Sequence, residues 1–365
     1  MATILTCYYR PKPGGLCTRL FRAMRALLAR GHTVHYLALA PFPIDHPRCF
    51  FHRFPWPVRH GDTLLFWALF HLIAPPMLLG IALRQKVTHA FGFSPTYTAI
   101  MQPLLRLLSI PVVCFLNGDL VFGHQFRQRA PWLIGLDKIV EGIGVHGLGL
   151  VGVAPHLLDR LVKRHSHFSP AFTSVLPNDL PIQAIFLRRK MQRPIQLSLV
   201  GTLDAIKNQA FAVALISSFD EGDFHLSIFG TGLEYQRLSN LVAELKIEKR
   251  VTFRGWVPAD RIWPQVDLLL MPSFSEGLPN AVLEAIAAGV PVLASDIPAH
   301  RWFLPIEQLL PLDDPERWRQ MLNGILNASQ EKLSDLAQRQ WDAAAHLRFD
   351  WDERITETIL QGQFR

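Results

Sequence analysis

Two carboxylates eight positions apart, Glu276 and Glu284, bracket a Gly277-Leu278-Pro279-Asn280 turn. The preceding residues, Asp267 to Pro272, read as a short, fully buried strand ended by proline. Pro279 suits a first helical turn, where its missing N–H is not needed, and Gly289 suits the C-terminal stop after Ala288. Glu276 is therefore expected in the loop before a helix N-terminus and Glu284 about five residues inside that helix, roughly 7–8 Å along its axis. Free backbone N–H groups around Leu278 to Ala281, together with the helix dipole, favour an anionic or hydroxyl-rich ligand. The two carboxylates could grip hydroxyls at both ends of an extended ligand whose phosphates lie between them. Equally, carboxylates near a helix start occur simply because the dipole favours them.

A second candidate is Gly14-Gly15, which follows a predicted strand over Ala2 to Cys7. A glycine pair between strand and helix lets the backbone approach a phosphate closely, although most such glycines merely turn the chain. The Gly230-Thr231-Gly232 turn does not continue as a dinucleotide fingerprint, because Tyr235 occupies the third glycine position. Arg164-His165-Ser166-His167 offers two histidines with no further evident ligands, which reads as surface and not as a metal site.

The stretch Pro272 to Asn280, with the strand before it and Ala288-Gly289-Val290-Pro291-Val292 after it, resembles the retaining, GT-B-fold glycosyltransferases of the family-four type, whose signature is Glu-x7-Glu. The resemblance is strongest over residues 197 to 298 and looser before 180. It implies an α/β chain of two doubly wound, Rossmann-like domains facing an interdomain cleft. Residues 1–185 would be the acceptor-side domain, with 350–365 packing back on it, and residues 186–349 the nucleotide-sugar domain. It further implies that Glu276 holds sugar hydroxyls, Glu284 the nucleotide ribose and Lys207 the donor diphosphate. Gly14 and Gly15 would approach the phosphates, the loop at Val257 would abut the base, and Gly277, Leu278, Pro279 and Asn280 would line the donor site. No cofactor or metal is expected, since Lys207 and a helix N-terminus can stand in for one.

Three departures matter. Thr202 stands where the family places an arginine, and Arg301 is a candidate substitute. Asn117-Gly118-Asp119 replaces a loop that often carries a histidine, leaving either Asp119 as an acceptor-activating base or a turn-forming Asn-Gly. Asp179 replaces the glycine of the family's Ile-Pro-Asn-Gly segment in Leu176-Pro177-Asn178. Thr202 also motivates a different class of answer, a catalytically silent sugar-nucleotide-binding or scaffold subunit. A GT-B sugar-nucleotide epimerase is a further alternative, and a nicotinamide-dependent dehydrogenase is the least favoured.

The elements that must position these residues fit in 365 residues with 49% hydrophobic content, enough for two cores. Charge divides unevenly: residues 1–185 carry 18 Lys/Arg against 7 Asp/Glu, and residues 186–365 carry 19 against 23. The basic half is expected to face something anionic, and with no nucleic-acid-binding motif present an anionic membrane surface or a glycan or lipid-linked acceptor fits better than nucleic acid. Arg19, Arg22 and Arg25 form one helix face that is either solvated or anion-facing. Thr63 to Leu83 approaches membrane-spanning length, but His71 and Pro75-Pro76 predict a broken helix pair. Trp56, Phe66, Trp67 and Phe70 amid arginines read as an interfacial anchor or as core. Four cysteines without a Cys-x-x-Cys pair, and a start without a basic, apolar leader, predict a cytoplasmic protein that is peripheral on the membrane.

Overall fold

The computed structural model describes residues 1–12, 14–61, 63–167, 170–181 and 192–361. The predicted boundary at 185/186 and most of the predicted charged linker, 188–191, lie outside these residues. Contacts divide the chain into two units, Met1–Pro177 with the residues from Asp350 onward, and Asn178–Phe349. Residues just after Pro177 bond inside the second unit: Leu180 N–H donates to Leu347 O at 2.8 Å, and the Asn178 amide reaches Leu278 O at 3.4 Å.

The first unit runs β1 (Thr3–Cys7), α1 (Gly15–Ala29), β2 (Thr33–Ala38), β3 (Cys49–Arg53), α2 (Leu64–Gln85), β4 (His89–Phe93) and α3 (Pro95–Leu105). It continues β5 (Val112–Leu116), α4 (Leu120–Phe126), α5 (Pro131–Val145), β6 (Gly149–Gly152), α6 (Pro155–Arg164) and β7 (Phe172–Val175). Its seven strands are parallel in the order β3-β2-β1-β4-β5-β6-β7, so the chain reverses direction across the sheet between β1 and β4. Buried, mostly apolar strands such as Val112–Leu116 are what a sheet covered on both faces requires.

The second unit runs β8 (Ile195–Val200), α7 (Gln209–Ser217), β9 (Phe224–Phe229), α8 (Tyr235–Glu244), β10 (Val251–Gly255), α9 (Ala259–Ile262) and β11 (Leu268–Met271). Then follow α10 (Asn280–Ala287), β12 (Val292–Ser295), α11 (Pro298–Arg301), β13 (Leu309–Leu310), α12 (Pro315–Leu326) and α13 (Gln330–Ala343). The sheet order is β10-β9-β8-β11-β12-β13, again all parallel, with the reversal between β8 and β11. Leu197, Leu226, Ile228, Leu268 and Trp318 centre its core.

The last helix, α14 (Trp351–Leu360), belongs to the first unit and packs on α1. This contact decides the arginine face of α1. Arg19 and Arg22 lie over the Trp351 ring at 5.3 and 4.8 Å, and Arg22 Nε donates to Asp352 at 2.6 Å. Arg19 also donates to Asn117 Oδ1 at 2.9 Å, and Arg25 to Pro43 O at 2.9 Å. Arg19 is buried, whereas Arg22 stays partly and Arg25 largely open to solvent; Arg19 and Arg22 fasten α14 to α1, and Arg25 ties a loop to it. Asp350-Trp351-Asp352, an Asp-x-Asp sequence, is structural for the same reason, with Asp350 capping α14 through the Glu353 N–H at 2.9 Å.

The predicted break in the apolar segment is corrected. Leu64–Gln85 is one helix of 22 residues with both prolines inside it. Thr63 caps it, and the two carbonyls the prolines leave unmatched, those of His71 and Leu72, lie where the helix is partly open, Leu72 being 71% exposed. Of the four aromatics read as interfacial anchor or core, Phe66 and Phe70 are core, fully buried, stacked on each other and packed by Tyr9, Phe54, Trp56 and Trp67, whereas Trp56 and Trp67 are themselves half-buried. Because Trp351 is 1% exposed, Trp351→Ala is expected to cost about 3–5 kcal/mol in chemical denaturation. A loss below about 1 kcal/mol would show that α14 is not part of the first unit's core.

Candidate active site

The β11 strand, Leu268–Met271, is buried over its whole length between β8 and β12. It ends at Pro272, so the next residues emerge at the carboxyl edge of the sheet beside the loop that follows β8. These two loops flank the point where the strand order reverses, which is where open α/β sheets form a ligand crevice. Backbone joins them, with Phe274 N–H donating to Ile206 O at 2.8 Å.

Lys207 and Glu276 meet there. The ammonium donates to both carboxylate oxygens at 2.7 Å each, and the side chains are only 24% and 7% exposed. The loop aims the lysine: Asp204 caps the short 3-10 turn through Ile206 N–H at 3.1 Å, Asn208 adopts φ 53°, and the Gln209 amide holds Thr202 O at 2.9 Å. Gly230 and Gly232 are needed beneath it, since a Cβ would lie 1.9 Å from Gly201 O or 2.2 Å from Leu203 O. That turn is glycine-rich for close packing of two loops, consistent with its failure to continue as a dinucleotide fingerprint.

Behind Glu276 runs a buried polar line that sequence reasoning missed. Ser273 Oγ donates to Glu276 Oε1 at 2.7 Å, Ser295 Oγ donates to Ser273 O at 2.5 Å, and His300 Nδ1–H donates to Ser295 O at 2.7 Å. Ser273, Ser295 and His300 have no exposed surface. The only signal in the sequence was small polar residues at the ends of two apolar strands. Asn178 serves the neighbouring turn, its amide donating to Leu278 O at 3.4 Å and to Asn280 Oδ1.

The α10 helix begins at Asn280, with Pro279 as an extended N-cap that supplies no side-chain bond, leaving an uncapped N-terminus suited to an anion. Glu284 is its fifth residue; burial pushes its carboxyl above the ordinary value, with the neighbouring Trp263 indole opposing this. Gly277 is half-buried and Leu278 buried, Thr202 is exposed, and Val257 is half-buried beside Trp256, which is 67% exposed.

Other predicted residues belong elsewhere. Arg301 gives its guanidinium to Asp296, with Nη2 to Oδ2 at 2.8 Å, so it is no free replacement for the missing arginine. Asp119 is engaged as an anchor: Oδ1 accepts Phe122 N–H at 2.9 Å and Oδ2 accepts Arg164 at 2.6 Å. Arg164 also grips Glu141 at 2.6 Å, and His165 Nε2 lies 2.8 Å from the same carboxylate. The Arg164-His165 pair is thus part of a largely buried network, not a surface segment. Gly14 and Gly15 lie in the first unit, where Gly14, at φ 135°, precedes α1 and has open space where a Cβ would be.

Residues 194–327 match the family described as Glycosyl transferases group 1. That match spans most of the second unit, and the chain as a whole has a GT-B fold. It is similar to the O-antigen biosynthesis glycosyltransferase WclY of Escherichia coli, 38% identical over 79 residues, 21% of this chain and 22% of that protein. The matched segment is thus about a fifth of that relative's length. Among solved structures it resembles sucrose-phosphate synthase from Thermosynechococcus elongatus, with TM-score 0.81 at 18% identity over 99% of this chain and 98% of the other. Anabaena HepE in complex with UDP-glucose aligns with TM-score 0.75 at 14% identity, covering 99% of both chains.

Two outcomes follow from the site's electrostatics. Lys207→Ala leaves Glu276 buried without its cation and should cost about 3 kcal/mol, while Lys207→Ala/Glu276→Ala together should cost less than the first change alone. Equal or larger loss in the double variant would mean that the pair is not coupled. A raised Glu284 pKa means the folded state binds the proton more tightly, so stability falls as pH rises through the carboxylate range. Glu284→Gln should therefore raise Tm at neutral pH, the gain disappearing in acid; a pH-independent change would contradict this.

Proposed function

We propose that the protein is a retaining glycosyltransferase that moves a hexosyl or N-acetylhexosaminyl group from a nucleotide-diphosphate sugar to a glycan or lipid-linked acceptor, in cell-envelope polysaccharide or lipopolysaccharide synthesis. The observation that carries the proposal is the Lys207–Glu276 pair at the strand-order reversal, beside an uncapped helix that bears Glu284. On this reading the diphosphate takes the Lys207 ammonium and the N-terminus of α10, while Glu276, released from the lysine but still held by Ser273, accepts sugar hydroxyls. Glu284 takes the ribose of the nucleotide, and Val257 and its loop border the base.

Catalysis then rests on positioning and on stabilising the departing diphosphate. Cleavage of the bond from the anomeric carbon to the phosphate oxygen leaves its electron pair on the diphosphate. The acceptor oxygen attacks from the same face and passes its proton to that phosphate. Asp119 is left out of this step because its two oxygens already hold Phe122 and Arg164. Positive charge comes from Lys207 and the helix, so the proposal requires no metal. The similarity to WclY, an O-antigen biosynthesis glycosyltransferase, and to HepE, which forms a complex with UDP-glucose, supports the acceptor and donor classes. Work on the cytoplasmic side of the membrane accompanies this assignment.

The test is a thermal-shift screen of UDP, GDP, ADP and their common sugars. A ligand at a hundred times its Kd should add about 2.7 kcal/mol, and Lys207→Ala and Glu284→Ala should each remove most of the shift. Absence of any nucleotide response overturns the assignment. Binding without transfer to any acceptor would instead favour the silent-subunit alternative, with exposed Thr202 the first residue to restore as arginine.

A further inference from the structure

In the first unit α3 lies between α2 and α5 and is largely buried, so α2 and α5 form the outer layer there. Both helices turn apolar side chains outward. On α5, Trp132, Leu136, Ile139 and Ile143 are 61, 51, 62 and 42% exposed. Their spacing of four, three and four residues makes one stripe, about 16 Å long at ~1.5 Å per residue. The opposite side of α5 buries Gly142, Gly144 and Val145.

The α2 helix repeats the pattern. Phe66, Phe70, Ala74, Leu78 and Ile81 face the core, while Leu64, Leu65, Leu72 and Leu83 are 67, 61, 71 and 57% exposed. No acidic residue occurs in its 22 residues. An ordinary surface helix is polar on its outer side; here the outer side is as apolar as the inner.

Charge identifies the occupant. Arg59, Arg84, Lys86, Arg129 and Lys138, on or beside these helices, are all exposed. The acidic residues the structure describes around α4 and α5 are occupied internally: Asp137 by His124 at 2.5 Å, and Asp119 and Glu141 by Arg164 at 2.6 Å each. A second copy of the chain would set this cationic rim against itself. An anionic lipid surface would accept both the apolar stripes and the rim. We propose that the outer faces of α2 and α5 are a membrane-docking surface that seats the first unit on an anionic bilayer. This adds a membrane-bound partner to the proposed transferase, but uses none of the donor-site residues.

The experiment is co-sedimentation of the full chain with vesicles of phosphatidylcholine alone or mixed with phosphatidylglycerol, at low and high salt. Wild type should bind the anionic vesicles, more weakly at high salt yet not lose binding entirely, because apolar insertion is not screened. Leu72→Glu/Ile139→Glu, with unchanged Tm and unchanged nucleotide response, should bind about tenfold or more weakly. Equal binding by wild type and variant overturns the proposal, as does absence of vesicle binding. A wild-type dimer that the same variant dissolves would assign the face to a second copy instead. Loss of nucleotide response in wild type, with vesicle binding intact, would count against the donor assignment alone.

Discussion

A lysine and a glutamate paired almost out of water are the constraint around which the second unit is arranged. Such a pair contributes little net stability, because desolvating two charges offsets most of their attraction. Its retention, 24% and 7% exposed at the carboxyl edge of a parallel sheet, is easier to understand as a prepared charge than as a fastening. Everything near it restricts motion. The Asp204 turn and Gln209 hold the lysine loop, Ser273 holds the carboxylate, and Ser295 and His300 hold Ser273. A diphosphate arriving at Lys207 would therefore meet a cation already in place, with Glu276 kept beside it by a bond that does not involve the lysine.

The parts of this arrangement that were legible in the sequence are those encoded by neighbours in the chain. The β11 strand announces itself as an uninterrupted apolar run stopped by proline, and α10 by the turn before it and Gly289, at φ 70°, after it. From these, Glu276 and Glu284 could be placed on loop and helix. The partners that give the residues their state were not legible, because they lie far along the chain. Asp119 resembled a free base until Arg164, 45 residues later, filled one oxygen, and Arg164-His165 resembled surface until Glu141 was seen against them. Arg19 and Arg22 needed Trp351, more than 300 positions away.

Short edge elements escaped for a different reason. The β13 strand has two residues and β3 is a half-exposed edge strand, so neither carries a periodic apolar signal, although each closes one side of its sheet. The α2 helix shows the reverse error, where a strong local rule was overridden. Two prolines argued for a break, yet packing by Phe66, Phe70, Ala74 and Leu78 along one side holds the helix through them. That same packing fixes which side of α2 is turned outward. Its surplus of apolar surface is therefore a property of the folded unit, not of composition alone.

The most direct measurement is a crystal structure of the protein with a nucleotide-diphosphate sugar bound. The account predicts the Lys207 ammonium on the diphosphate, Glu276 turned to sugar hydroxyls while still accepting from Ser273, and Glu284 on the ribose. A donor bound elsewhere, with Lys207 and Glu276 still closed on each other, would contradict it.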